Sequence, residues 1–422
     1  MRARMVVVAL ALLVLAVAVG AEEPGDDVSP AAKDGPVWRW EPLFVGYESE
    51  PGMDFGGRTV ASLQSGLARA IGRIGRVGER APALAPLWEV PLAGMAVLVQ
   101  HEVGGHGGRG REFGLGPSYS FGLDFSGSTS IRRIPETNEQ GTLLAAGGSE
   151  ADGVLAHRIL LDALRSDGTD GARLPLLLLC KLDLSHYVFG TKPPRGAGFV
   201  EQYRDGNDIA LYLVSRQAAR RRVPPSAVWR GMYRPDLGDP LLQDNWDRVR
   251  AAAVWNALDP TLVTALVGYV TQHARDGQVR VRMPVWRVGR ELGLLAGTRA
   301  ALGPGEVSRF LDVYLSAPWG VLAGYVRDLD SSRERTWGYG VAVHGVRVDR
   351  ATFGASADRW KEPEAGERPR CRSCWHAALE AEVVLGGRWG VAAKLGGKSE
   401  GFFPGRPMGD GLYVGLGVTA AL

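Results

Sequence analysis

The 422-residue sequence is poor in cysteine: it has three, and only two of them lie close together. Cys180 lies in the apolar segment LPLLLLCKL, which predicts a buried side chain. Cys371 and Cys374 form a C-x-x-C pair, and the sequence has no second pair that would complete a zinc ribbon. No thioredoxin-like pattern of strands and helices surrounds the pair. In an exported protein, this spacing predicts a local disulfide between Cys371 and Cys374.

The sequence also lacks an excess of charge of either sign. It has 49 basic and 46 acidic residues, and two of the basic ones, Arg2 and Arg4, belong to an N-terminal leader. The rest of the chain is therefore almost neutral, and we expect no nucleic-acid partner.

The N-terminal residues 1–21 have the pattern of a secretory signal peptide. A short basic start is followed by the apolar residues 6–19, by small residues up to Ala21, and then by Glu22 and Glu23. The apolar run is short for a membrane span and acidic residues follow it, so we predict cleavage after residue 21. An uncleaved membrane anchor is the alternative.

Hydrophobic periodicity divides the rest of the chain into regions. Residues 22–55 show little periodicity and predict a linker with an extended aromatic segment. Residues 56–276 contain many stretches with apolar residues three or four positions apart, which predict a mainly α-helical domain. The alternating stretch SYSFGLDFSGSTSI is an exception and predicts a strand or hairpin.

Residues 277–422 consist of segments of roughly ten residues separated by short turns, the length of strands that cross a membrane. In several of them apolar residues alternate with small or polar ones; Leu379 and Ala381 alternate with Glu380 and Glu382. This pattern predicts about eight antiparallel strands, and aromatic residues near the strand ends favour a membrane β-barrel. A soluble meander is the alternative, since soluble strands alternate too. The predicted fold class is α+β, and the predicted location is the outer membrane or periplasm of a Gram-negative bacterium.

The segment VLVQHEVGGHGGRGREFG contains the residues that indicate chemistry. His101, Glu102 and His106 form a pattern one residue longer than H-E-x-x-H, in which two histidines on one helix face bind zinc. Histidines five residues apart would point about 140° apart on a regular α-helix. A π-bulge would bring them together, and so would a helix that ends at Gly104 and Gly105, after which His106 folds back.

This motif, together with the later acidic segment GGSEADGVLAH, resembles the gluzincin branch of the zincin metallopeptidases. In that family two helix histidines and a downstream glutamate bind zinc, and the glutamate between the histidines is the general base. The resemblance implies that His101, His106 and Glu150 bind Zn²⁺ and that Glu102 is the base. It covers a short part of the chain, and the extra glycine departs from the family's pattern.

Nearby residues are candidates for further roles. His157 lies seven residues after Glu150 and shares its helix face, where it would support a ligand or the transition state; a packed or surface histidine is the alternative. Arg109 and Arg111 would bind a substrate carboxylate or a lipid phosphate, or else form internal salt bridges. The segment RDGND at 204–208 is interpreted as a helix cap rather than a calcium site.

These patterns predict a zinc-dependent hydrolase of the cell envelope, a metallopeptidase that acts on an envelope protein or peptide and contacts membrane lipid. One alternative is a non-catalytic outer-membrane β-barrel protein in which the histidines form a structural metal site or a histidine cluster. The other is a metal-dependent lipid or amide hydrolase that uses the same ligands.

Overall fold

The computed structural model describes residues 43–49, 51–122, 124–165, 168–364, 371–386 and 389–420. The predicted signal peptide and most of the predicted linker lie outside these residues. The described part combines helices with a large antiparallel sheet, so the predicted α+β class is confirmed.

Helices fill most of the region for which helical periodicity was found. The α-helices are α1 (Phe55–Arg73), α2 (Val77–Arg80), α3 (Pro86–Val99), α4 (Gly107–Glu112), α5 (Asn138–Ala163), α6 (Leu174–Gly190), α7 (Ala197–Arg204), α8 (Asp208–Arg220), α9 (Pro225–Trp229), α10 (Pro240–Ala257) and α11 (Pro260–Gly268). Two π-helices, Gln100–His106 and Tyr269–Arg275, continue α3 and α11. Short 3₁₀ turns lie at Ile74–Arg76, Pro82–Leu84 and Gly171–Arg173.

The strands fall into one large sheet and two small pairs. They are β1 (Leu43–Glu48), β2 (Pro117–Phe121), β3 (Gly127–Ile131), β4 (Thr169–Asp170), β5 (Arg280–Val281), β6 (Trp286–Val288), β7 (Leu292–Leu302), β8 (Val307–Ala317), β9 (Gly320–Asp330), β10 (Arg335–Val348), β11 (Ala351–Trp360), β12 (Cys374–Gly386), β13 (Trp389–Lys398) and β14 (Gly411–Ala420). Strands β2 and β3 form a hairpin in the alternating stretch that predicted one, and β4 pairs with β5.

The large sheet is an open antiparallel meander. Nine consecutive strands, β6 to β14, pair in chain order, and β1 joins the sheet as a tenth strand beside β14. Strand β1 lies in the segment 22–55 that was predicted to be a linker with an extended piece. Among the described strands, the edge strands β1 and β6 do not pair with each other. The predicted closed barrel is therefore wrong, and the strands form an open meander.

The helices and the sheet share one packed core. Leu155 and Leu160 of α5 and Leu177 of α6 belong to the same cluster of buried residues as Tyr314 and Val321 of the sheet. The region 56–276 is thus packed directly on the region 277–422. Two helical stretches of the region 56–276 have the length and apolar composition of membrane-crossing helices: Pro82–Glu112 and Pro240–Arg275.

Candidate metal centre

The π-helix Gln100–His106 brings His101 and His106 together. A π-helix has hydrogen bonds between residues five positions apart, so its wider turn returns the fifth residue to nearly the same face. The two imidazole rings lie with their centroids 4.8 Å apart. The helix does not end at the glycines but continues into α4, so the π-bulge is the arrangement that the structure shows.

Glycines allow this π-helix to lie directly against α5. A Cβ atom on Gly105 would overlap the backbone of Gly147, and a Cβ atom on Gly148 would overlap the imidazole ring of His101. The glycines of the motif therefore provide a close approach between two helices rather than a turn. Any side chain at these positions would separate the helices that carry the site.

The Nε2 atoms of both histidines point at one carboxylate oxygen. Asp208 Oδ2 lies 3.1 Å from His101 Nε2 and 3.2 Å from His106 Nε2. Asp208 is the first residue of α8, which begins there because the Asn207 side chain accepts a hydrogen bond from the Ala210 N–H at 2.9 Å. The segment RDGND is thus a helix cap, as interpreted from the sequence, and it also supplies an acid to the histidine pair, which the sequence analysis missed.

Protein acceptors hold the other nitrogen of each ring. His106 Nδ1 lies 2.6 Å from the carbonyl oxygen of Leu144, and His101 Nδ1 lies 3.1 Å from Asp152 Oδ2. Burial lowers the pKa of both histidines, but the neighbouring carboxylates outweigh it and raise the pKa of both above the usual value. The Nδ1 acceptors can hold the Nδ1–H when a metal replaces the proton on Nε2. The Nε2 atoms of both rings and one carboxylate oxygen of Asp208 face one point. This set of donors could hold a metal ion.

A second acidic group contacts the same histidine from the opposite side. Asp183 Oδ2 lies 3.4 Å from His101 Nδ1, and these atoms with Asp152 are also close enough together to hold an ion. Metal-binding histidines commonly donate their other N–H to a carboxylate, which fixes the orientation of the ring. We therefore assign Asp152 and Asp183 to orienting His101, since its Nδ1 faces them and its Nε2 faces Asp208.

Burial and neighbouring charges adjust the acidity of these groups. Burial and the adjacent Asp183 raise the pKa of Asp152 to about 8, although His101 opposes this shift. Burial disfavours the charged form of Asp208, but His106 and His101 outweigh it and hold the pKa of Asp208 below its usual value. Asp208 therefore carries a negative charge at neutral pH, as a ligand of a cation requires.

Glu102 lies next to the histidine pair and is held by the β2–β3 hairpin. The Thr129 hydroxyl donates a hydrogen bond to Glu102 Oε2 at 2.7 Å, and Glu102 is 5% exposed. On the other side, the Tyr187 ring from α6 stacks on His101 with the centroids 4.9 Å apart. Burial and the charges of Asp208, Asp183 and Glu102 raise the pKa of Tyr187, which therefore keeps its phenol proton. Tyr187 cannot be identified from the sequence, because an aromatic residue in an apolar helix gives no signal of its own.

The structure does not bring Glu150 to the histidines. Arg109 binds both oxygens of Glu150, with its Nε donating to Oε2 at 3.0 Å, and the Gly405 N–H donates to Oε1 at 2.7 Å. Arg109 is completely buried and also donates to Glu112. Glu150 and Arg109 thus form an internal ion-pair set, the alternative for Arg109. The acid of the EAD segment that reaches His101 is Asp152.

The remaining candidates have other partners. Arg111 donates hydrogen bonds to the Tyr119 hydroxyl at 2.5 Å and to the Val103 carbonyl at 3.0 Å. His157 Nδ1 lies 3.2 Å from the Tyr314 hydroxyl. The His157 side chain lines a cavity of about 160 Å³ between α5 and the sheet. Arg111 and His157 therefore do not belong to the group of metal donors.

The cysteines take the positions that the sequence indicates. Cys371 is joined to Cys374 at the start of β12, and Cys180 is buried.

Comparison with protein-family models, with curated proteins and with solved structures finds no match to this chain. The likeness to the gluzincins therefore stays a prediction from a short motif. The function has to be inferred from the side chains of the site.

Proposed function

We propose that this chain is a zinc-dependent hydrolase whose ion is held by His101, His106 and Asp208. The observation that supports it is the convergence of two Nε2 atoms with one carboxylate oxygen. Catalytic zinc sites use three nitrogen or oxygen ligands from the protein and keep a further position open. Asp208 takes the role that the sequence analysis gave to Glu150.

Glu102 is the general base in this proposal. It follows His101 directly, and the hydrogen bond from Thr129 fixes one of its oxygens. Zinc in such a site supplies Lewis acidity for the attack of water on a carbonyl group. Glu102 accepts the proton of the attacking water and passes it to the leaving group. The Tyr187 hydroxyl donates a hydrogen bond to the developing oxyanion.

The proposed substrate is a peptide bond in a protein of the cell envelope. The leader predicts export, and the motif resembles that of metallopeptidases. The same side chains would also serve the hydrolysis of an ester or another amide, so the test includes those substrates.

The test compares the full-length protein with three variants in two assays. Metal content is measured by inductively coupled plasma mass spectrometry, and hydrolysis is measured on a fluorogenic peptide mixture and on p-nitrophenyl acyl esters. Asp208→Ala should lose the zinc, whereas Asp205→Ala, an exposed acid just before α8, should keep it. Glu102→Gln should keep the zinc and lose activity by about 100-fold or more, the range typical of a general base.

Three results would contradict the proposal. Zinc that persists in Asp208→Ala would remove Asp208 from the ligands. Full activity of Glu102→Gln would remove the general base. A zinc-loaded wild-type protein that hydrolyses none of the substrates would support the structural-metal alternative.

A further inference from the structure

The large sheet has its polar residues on the inner face and its apolar residues on the outer face. Lys394, Arg327 and Asp312 are at most 2% exposed, and each follows or precedes an exposed apolar residue in its strand. The exposed apolar residues include one from each of six strands, β8 to β13: Leu311, Val326, Val341, Phe353, Leu379 and Leu395. A sheet of a water-soluble protein has the opposite distribution.

Three helices have the same reversed polarity. Ser65 of α1, Glu89 of α3 and Thr264 of α11 are polar and buried. The exposed side chains of these helices include Leu63 and Leu67 of α1, Leu87 and Val90 of α3, and Leu266 and Val267 of α11. Helix α3 lies in one of the two stretches with membrane-crossing length and composition, and α11 lies in the other.

These three helices connect the two edges of the open sheet. Helix α1 packs on the edge strand β1 and on α3, and α11 packs on β7, which lies next to the other edge strand, β6. The Tyr269 hydroxyl, in the π-helix that continues α11, donates to Glu89 of α3 at 2.9 Å. The wall is therefore continuous from β1 through the helices to β7. We call the outer faces of β7–β14, α1, α3 and α11 the apolar belt.

Exposed tryptophans mark both margins of the apolar belt. Trp337 and Trp375 lie near the starts of β10 and β12, at one margin. Trp319, just before β9, and Trp389, the first residue of β13, lie at the other margin because these strands run in the opposite direction. Trp389 pairs with Gly386, which lies eleven steps along β12 from Trp375 at the other margin. These steps span about 36 Å along the strand, or about 28 Å across a bilayer at a tilt of roughly 40°. The hydrocarbon core of a bilayer is about 30 Å thick.

Charged side chains accompany the tryptophans at the margins. Arg359 and Arg372 are exposed at one margin, and Arg347 and Arg350 at the other. An apolar zone between two layers of aromatic and basic residues is complementary to hydrocarbon between two layers of lipid headgroups.

We propose that a lipid bilayer covers the apolar belt, and that α1, α3 and α11 form the helical part of the wall that faces lipid. The sequence predicts lipid contact for the sheet alone, whereas here helices complete the wall that the open sheet leaves unfinished. A second copy of this chain would cover one side of the belt, but the belt runs from the sheet across three helices. The proposal does not depend on the metal site.

The test uses the full chain purified in detergent and added to vesicles of phosphatidylcholine and phosphatidylglycerol. Leu395→Arg changes the sheet part of the belt and Leu266→Arg the helical part, whereas Met232→Arg changes an exposed apolar residue outside the belt. Wild type and Met232→Arg should float with the vesicles and resist extraction with carbonate. In each belt variant, the fraction of protein that resists carbonate extraction should fall at least tenfold.

A result that leaves Leu266→Arg in the membrane while Leu395→Arg is lost would overturn the helical part of the wall. Wild-type protein that stays in solution without detergent, as a monomer or as a discrete dimer, would overturn the whole proposal.

A second measurement uses wild-type protein and so does not depend on the folding of the variants. Lipids brominated at carbons 6 and 7 should quench its tryptophan emission at least 1.5-fold more than lipids brominated at carbons 11 and 12, because the exposed tryptophans lie at the margins. The absence of quenching by either lipid would contradict a bilayer around the belt.

Discussion

Two π-helices lie in the part of the chain that the structure describes, each continuing an apolar helix, and their histidines have different surroundings. In the first, the Nδ1 of His106 is held by a carbonyl and its Nε2 faces Asp208 together with the Nε2 of His101. In the second, Nδ1 of His273 lies 2.6 Å from the Gln278 carbonyl and Nε2 lies 2.9 Å from Glu89. Nε2 of His273 thus joins this π-helix to α3, while Nδ1 contacts the turn that follows the π-helix. A histidine in a π-helix is therefore not sufficient for the proposed metal site, which also needs a second imidazole nitrogen and an acid that face the same point.

The largest expected effect on the first π-helix comes from a side chain placed beside His101. Gly148→Ala places a methyl group where the imidazole ring lies, so we expect zinc affinity to fall by at least 100-fold. Competition with a chromophoric chelator measures the affinity. Gly153→Ala, on the same helix, is the control because its Cβ would meet nothing within 4 Å. Normal affinity in Gly148→Ala would mean that His101 does not bind the ion from this position.

Removing the acceptor behind His101 should have a smaller effect. Asp152→Ala leaves the ring without its hydrogen-bond partner, and changes of this kind reduce metal affinity by about 10- to 100-fold. Asp152→Asn should restore most of the affinity because an amide oxygen also accepts the Nδ1 hydrogen. The same chelator competition measures both variants, and equal losses in the two would show that the hydrogen bond is not what Asp152 contributes.

A substitution at the second π-helix should change the stability of the protein and leave its metal content unchanged. Glu89→Ala removes the acceptor of the Tyr269 hydroxyl and of His273, so we expect a loss of about 2–3 kcal/mol in the free energy of unfolding. Denaturant unfolding of the detergent-solubilised protein measures it. The zinc content should stay at the wild-type level, and a parallel loss of zinc would mean that the two π-helices are coupled.

The sequence predicts His101, Glu102 and His106 because adjacent residue types identify them. It gives no such guide to Asp208, which lies far along the chain at the start of another helix and looks like part of a cap. The acidic segment of α5 shows both a success and a failure. The segment does contact the site, but through Asp152, while Glu150 is bound by Arg109. Which of two neighbouring acids faces inward depends on how the helices pack.

Some features of the fold can be predicted from the sequence and others cannot. The alternation in β12 and β13 identifies strands and their apolar face, because every second side chain points to the same side. The open edges of the sheet cannot be predicted from it, since they depend on contacts of β1 and β7 with helices that are distant in sequence. The exposure of α3 cannot be predicted either, because an apolar helix has the same composition whether it lies in a core or against lipid.

The smallest expected effect concerns a buried acid in the turn between β7 and β8. Burial and Glu362 raise the pKa of Glu306 from 4.5 to about 7, although Arg327 opposes the shift. The folded state therefore favours protonated Glu306, and this stabilisation is lost as the pH rises through about 7. Glu306→Gln stays neutral and should be more stable than wild type at pH 8 by about 1–2 kcal/mol, with little difference at pH 4.5. Thermal unfolding at both pH values measures this, and an equal effect at the two would contradict it.

The proposal that His101, His106 and Asp208 bind one zinc ion is tested most directly by X-ray absorption at the zinc edge. The protein as purified should contain one zinc per chain, with two imidazole nitrogens and a carboxylate oxygen at about 2.0–2.2 Å. In His106→Ala the spectrum should lose one imidazole or the zinc itself. A zinc with sulfur ligands, or an identical spectrum in wild type and His106→Ala, would contradict the assignment of the site.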